Sequence, residues 1–128
     1  MPTVQAIVST PHIDRQIAFY QELLGAVETN RHPAEGPVFF VSLRLGDSEF
    51  GIVGNADTDV SRPSRTLLSI EVDDVDALLP RVEAAGGRLL GPPNDMPWGQ
   101  RVAHVHDPDG NMVNLTCPVP AREPAAQQ

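Results

Sequence analysis

The chain carries the same run of signals twice, at one fixed spacing. Ile17 and Leu79 lie 62 positions apart (79 − 17), and so do Gly25 and Gly87 (87 − 25). In the first half, residues 4–8 alternate as a strand does, and Ile13, Ile17, Tyr20 and Leu24 fall on one helical stripe. Gly25 supplies the helix C-cap. Three short strands follow at residues 26–31, 38–45 and 49–54, the last two joined by the turn Leu45-Gly46-Asp47-Ser48. The second half keeps the order. A strand at 66–72 leads to a helix capped by Asp73 or Asp74, with Val75, Leu78, Leu79 and Val82 inward and a stop at Gly86-Gly87. Strands at 88–90, 101–106 and 112–117 come next, and Asp107-Pro108-Asp109-Gly110 turns the chain between the last two. A unit of about 60 residues cannot cover both faces of its own sheet, so the two must combine. The expected organisation is a single domain over residues 1–118, with repeat one at 3–54, a polar linker at 55–64 and repeat two at 65–117. A flexible tail at 119–128 completes it.

Composition narrows what such a domain does. The 128 residues are 41% apolar, enough for one hydrophobic core. The one cysteine, Cys117, excludes an internal disulfide and every Cys-rich zinc motif. It ends a strand with no sign of a nucleophile's setting and reads as a structural thiol. All nine basic residues are arginine, so there is no Schiff-base lysine and no phosphate-loop lysine. The formal charge of −8 argues against nucleic acid and anionic membranes as partners. No apolar run approaches the roughly 18–20 residues of a membrane span, and Met1-Pro2-Thr3 opens no leader pattern. A cytoplasmic protein is expected. Ser-centred elbows, HExxH and glycine-rich phosphate loops are lacking.

Three strings go beyond periodicity. Ile17-Ala18-Phe19-Tyr20-Gln21-Glu22-Leu23-Leu24-Gly25 resembles the signature helix of the vicinal oxygen chelate superfamily, which includes glyoxalases, extradiol dioxygenases and bleomycin-resistance proteins. Trp98-Gly99-Gln100-Arg101, followed by Asp107-Pro108-Asp109-Gly110-Asn111, resembles its C-terminal signature. The resemblance covers about residues 3–117. It implies an α+β fold: two βαβββ repeats forming a curved, open, barrel-like sheet around a cavity, with helices on the outer face. A dimer is implied as well.

The resemblance also raises the question of a metal. Metal-dependent members hold their ion with one side chain from the first and one from the last strand of each repeat, and use it to stabilise an anion or bind oxygen. Carried onto this chain, those positions are Gln5, Gly51, Leu67 (5 + 62) and Asn114. Gly51 and Leu67 offer no donor, and two neutral amides leave a divalent ion without an anionic ligand. The expectation is that no metal is bound and no cofactor is used. The alternative is a lyase, isomerase or dioxygenase with an atypical set at Gln5, Glu49, His104 and Asn114. His104 and His106 share a strand face, which suits a metal if Glu71 or Glu49 converges on them. Otherwise His104 is a polar cavity wall and His106 a hydrogen-bonding residue beside the turn. His12 and His32 flank prolines in loops.

Strand parity then names a lining. With Gln5 inward, Ile7 and Ser9 follow it, while Ala6 and Val8 lie under the helix. Val41, Leu43 and Leu45 face the helix, which leaves Phe40, Ser42 and Arg44 towards the cavity. Leu67, Ser69, Glu71, Met112 and Asn114 add a wall. In the antibiotic-binding members, the tryptophan matching Trp98 stacks on the drug; otherwise Trp98 plugs the barrel end or a dimer seam. Met96 offers an adaptable apolar surface nearby. Arg101 either pairs with Asp95 or Glu71, or contacts a ligand oxygen. The binding set is therefore Gln5, Ile7, Ser9, Phe40, Ser42, Arg44, Leu67, Met96, Trp98, Arg101, His104, Met112 and Asn114, with no catalytic residue. The function this supports is sequestration of a small aromatic or apolar natural product, at cavities of a homodimer interface, giving resistance. An accessory domain with an empty cavity is the third possibility.

Overall fold

The computed structural model describes residues 4–33, 35, 39–61 and 66–119. The expected tail from residue 120 onward and the linker's residues 62–64 lie outside them. The fold is α+β. In chain order the elements are β1 (Ile7–Thr10), α1 (Ile13–Leu24), β2 (Val27–His32), β3 (Phe40–Leu45), β4 (Ser48–Gly54), β5 (Leu68–Glu71), α2 (Val75–Leu78), β6 (Arg88–Leu89), β7 (Asn94–Asp95), β8 (Gln100–His106) and β9 (Met112–Pro118). They form two open sheets, ordered β1-β4-β3-β2 and β5-β9-β8-β6, with β7 paired beside β8. In each sheet the first strand runs parallel to the last, and every other pairing is antiparallel. The sheets thus repeat one topology, as the 62-residue spacing requires.

The first helix follows its sequence closely. It ends at Gly25, whose φ of 72° is left-handed, and the N–H groups of Gly25 and Ala26 close back on the carbonyls of Gln21 and Tyr20. Its buried face is Gln16, Ile17, Phe19, Tyr20 and Leu23, wider than the expected stripe, with Ile13 and Leu24 only partly covered. The second helix is shorter than its apolar spacing predicts. Asp74 caps it by accepting the N–H of Ala77, but Pro80 lacks an N–H, and Leu79–Arg81 tighten into a 3-10 turn. Val75 and Val82 are buried at either end, while Leu78 and Leu79 are only partly covered. β7 corrects the expected loop at 92–99: two of its residues pair with β8.

One core joins the two sheets. Phe19, Tyr20 and Leu23 of α1 cluster with Val41, Leu43 and Ile52 of the first sheet and Val105, Val113 and Leu115 of the second. Phe19, Tyr20 and Phe50 meet edge to face at 5.0 Å. A buried acid, Asp107, 2% exposed, stands at the β8–β9 turn. Its carboxylate accepts from Gln16 Nε2 (2.8 Å), the Tyr20 hydroxyl (3.1 Å), Asn111 Nδ2 (2.9 Å) and the backbone N–H groups of Asp109 (3.0 Å) and Asn111 (2.9 Å). Helix and turn are thereby fastened across the molecule.

Burial first, then the charge of Asp107 and the hydrogen bond to it, hold the Tyr20 phenol well above its ordinary value of 10.0. The folded chain therefore keeps this proton at pH values where the unfolded chain has released it. Stability is fully present below about pH 10 and falls as pH rises beyond it. Tyr20 is the one tyrosine and lysine is lacking, so few side chains share this alkaline range with it. Tyr20→Phe is expected to remove the limb in denaturant titrations, while losing about 1 kcal/mol at neutral pH with the hydrogen bond. An equally steep decline in Tyr20→Phe would show that another group is responsible.

Candidate functional site

Each sheet turns one face to the core and leaves the other open. Val41 and Leu43 are wholly buried on the core side of β3, which places Phe40, Ser42 and Arg44 on the open side, as parity predicts. On β9, Val113, Leu115 and Cys117 face the core; Met112, Asn114 and Thr116 are opposite. His104 and His106 share that opposite face of β8, aligned with Asn114 and Met112.

The register shows what stands beside the positions carried over from the resemblance. Gly51 pairs with Ile7, not Gln5, and Asn114 pairs with Ser69, not Leu67. Gln5 and Leu67 both precede their strands and are exposed. The registered row on the open faces is Ile7 beside Gly51 and Ser69 beside Asn114. The space at Gly51 is taken: a Cβ there would lie 2.7 and 2.8 Å from the ring of Phe40, and 3.5 Å from Ile7 Cγ1. Asn114 is also engaged, since its Oδ1 meets His104 Nδ1 at 2.8 Å. Among the described residues no three His, Cys, Asp or Glu side chains converge as metal ligands; of the alternative set, His104 and Asn114 are in contact. A resident divalent ion does not fit this donor set.

A cleft of about 560 Å³ opens where β1 faces β5 and β9. It gathers Ile7, Ser9, Leu67 and Met112 of the expected set, and adds Thr58 and Val60. Ser9 and Thr58 hydroxyls meet at 2.6 Å, which draws the segment after β4 over β1. Sequence reasoning missed Thr58 because it lies in a polar stretch that reads as linker. Phe40, Ser42, Arg44, His104 and Asn114 lie on the open sheet faces outside this cleft's wall. A second cleft of about 590 Å³ runs along β4 and β5 past Glu49 and Ser69.

Trp98 and Met96 lie in the turn between β7 and β8. Trp98 is 70% exposed, and its indole N–H donates to Gln100 Oε1 at 3.0 Å. The turn closes through the N–H of Met96 on the Gln100 carbonyl (2.7 Å) and of Gly99 on the Met96 carbonyl (3.0 Å). Arg101 does not join the open face. It shares the core side of β8 with Ala103 and Val105, and pairs there with Asp95 and, in place of Glu71, with Asp76. Strand alternation from His104 would have given that side.

Residues 3–115 match the Glyoxalase/Bleomycin resistance protein/Dioxygenase superfamily. The chain belongs to that superfamily. Over 108 residues it is 32% identical to CFP32 of Mycobacterium tuberculosis, a glyoxylase by name, covering 84% of this chain and 40% of CFP32. The chain therefore spans about two-fifths of the length of that curated relative. A family enzyme from Burkholderia phytofirmans superposes with a TM-score of 0.73 at 26% identity, over 89% of this chain and 96% of its own. The bleomycin resistance determinant encoded on the transposon Tn5 shares the fold, with a TM-score of 0.67 at 20% identity over 92% and 98% of the two chains. No helix of the described residues is long and apolar enough to cross a membrane.

Proposed function

We propose that this superfamily member is a metal-independent binding protein that sequesters a small, partly aromatic natural product and so confers resistance to it. The row Ile7, Gly51, Ser69 and Asn114, with the Phe40 ring laid over Gly51, carries the reading. That row offers no carboxylate, imidazole or thiolate to an ion. It offers instead an apolar floor and two small polar groups, the usual make-up of a small-molecule pocket. Sequestration needs affinity alone, so no nucleophile or acid–base pair is called for. Trp98 would stack on the ligand as a mostly exposed indole, and a homodimer would complete the open sheet faces into cavities. The protein would act in the cytoplasm.

The test is titration of Trp98 fluorescence with bleomycin and with planar aromatic compounds, before and after chelator treatment, alongside metal analysis and sedimentation. Saturable quenching by at least one ligand, unchanged by chelator, is expected, and calorimetric titration of the same ligand into Trp98→Ala should show weakened binding. A stoichiometric divalent ion whose removal abolishes binding would overturn the reading in favour of a metalloenzyme. Failure of every ligand to quench would favour an accessory domain.

A further inference from the structure

The hairpin that carries Trp98 is short for the task given to it. β7 has two residues, and only Asn94–Val102 and Asp95–Arg101 are registered pairs with β8. A two-residue arm contributes little stability by itself. Its last residue before the turn, Asp95, is gripped from the core side. Arg101 Nε and Nη2 donate to Asp95 Oδ1 and Oδ2 at 2.8 and 3.1 Å, a two-pronged contact. The third nitrogen, Nη1, donates to Asp76 Oδ2 of α2 at 2.6 Å. The arginine side chain is 17% exposed, far less than either carboxylate partner. One planar cation thus joins strand β8, the hairpin arm and the second helix, which a lysine's point charge would not reproduce.

We propose that Arg101 is a positioning residue: by clamping Asp95 against Asp76 it holds the Trp98 turn in one pose, and so sets the affinity of the site without touching the ligand. The consequence for affinity rests on the binding function proposed above; the consequence for the pose does not. An indole already held by its turn and by Gln100 has less freedom to lose when a flat ligand stacks on it. The guanidinium points away from the open face, so its effect on a ligand must pass through the hairpin.

Trp98 is the one tryptophan, which makes its own emission the readout. In the full chain without ligand, Arg101→Met is expected to lower Trp98 anisotropy and raise its quenching by acrylamide. Arg101→Lys should recover part of the native signal, and Asp76→Asn should show a smaller change in the same direction. With acridine as probe, Arg101→Met should weaken binding about 3- to 10-fold, the cost of ordering one large side chain again. Unchanged anisotropy and quenching in a folded Arg101→Met would overturn the proposal. So would weaker acridine binding with an unchanged ligand-free signal, since that marks direct contact. Should Arg101→Met fail to fold, Asp95→Asn decides: a loosened Trp98 supports the clamp and a native one refutes it. If acridine and every other aromatic probe leave the native protein unquenched, the binding function fails, and the ligand-free measurements still judge the clamp.

Discussion

Asp107→Ala is expected to lower stability by about 4 kcal/mol, among the larger effects a single substitution produces. The carboxylate answers five donors, and two of them, on Gln16 and Tyr20, are fully buried and have no water to turn to. Each buried donor left without an acceptor costs about 1–3 kcal/mol, and hydrogen bonds to a charged acceptor are the stronger kind. The turn itself adds to the loss, because the N–H groups of Asp109 and Asn111 both close on the same side chain. For a domain of this length the loss corresponds to a fall in Tm of roughly 10–20 °C. Asp107→Asn keeps the shape but presents an N–H to groups that donate, and should recover only part of it. Calorimetry decides; a fall of a few degrees in Asp107→Ala would mean that Gln16 and Tyr20 find other acceptors.

Gly87→Ala is the second large effect, at about 3 kcal/mol. Gly87 does not adopt left-handed angles, so the backbone itself would accept alanine. The obstacle is space: the added Cβ would overlap Phe19 Cε1 and stand 2.5 Å from the carbonyl oxygen of His106. Phe19 is wholly buried and the carbonyl belongs to β8, so neither gives way cheaply. Gly51→Ala is the informative contrast. Its clash is with the half-exposed ring of Phe40 alone, which can swing outward, and the expected cost is below 1 kcal/mol. Equal losses in the two variants, measured by urea denaturation, would contradict this account.

Much of the fold was legible because its signals are local. Gly25 ends α1, Asp74 caps α2, and Asp107–Gly110 turns between β8 and β9, each through chemistry confined to a few neighbouring residues. Apolar spacing alone misjudged α2, since Val75, Leu78, Leu79 and Val82 keep helical intervals while Pro80 breaks the hydrogen bonding beneath them. β7 was hidden because two residues between prolines carry no periodicity.

The candidate site was legible in its faces and not in its rows. Alternation separates Phe40, Ser42 and Arg44 from Val41 and Leu43 correctly, because a strand has only two sides. Which residue stands opposite which depends on inter-strand register, and nothing in a single strand states it. The repeat spacing does not repair this. It holds from Ile7 to Ser69 (69 − 7 = 62), yet from Gly51 to Asn114 it is 63 (114 − 51), so the halves slip by one residue at their last strands. Arg101 illustrates a different limit: its partner Asp76 lies 25 positions away on another element, visible only once α2 is placed over β8.

The fastening of α1 to the β8–β9 turn has a last consequence, for the parity of the halves. Moved forward by 62, Gln16, Phe19 and Tyr20 become Leu78, Arg81 and Val82. None of these can give back to the first half what α1 gives to the second: an amide and a phenol for the buried acid, and a ring for the bare glycine. The halves follow one blueprint but are not interchangeable. A chain assembled from two copies of the second would fold its strands in the same order and still lack the keystone its own turn demands.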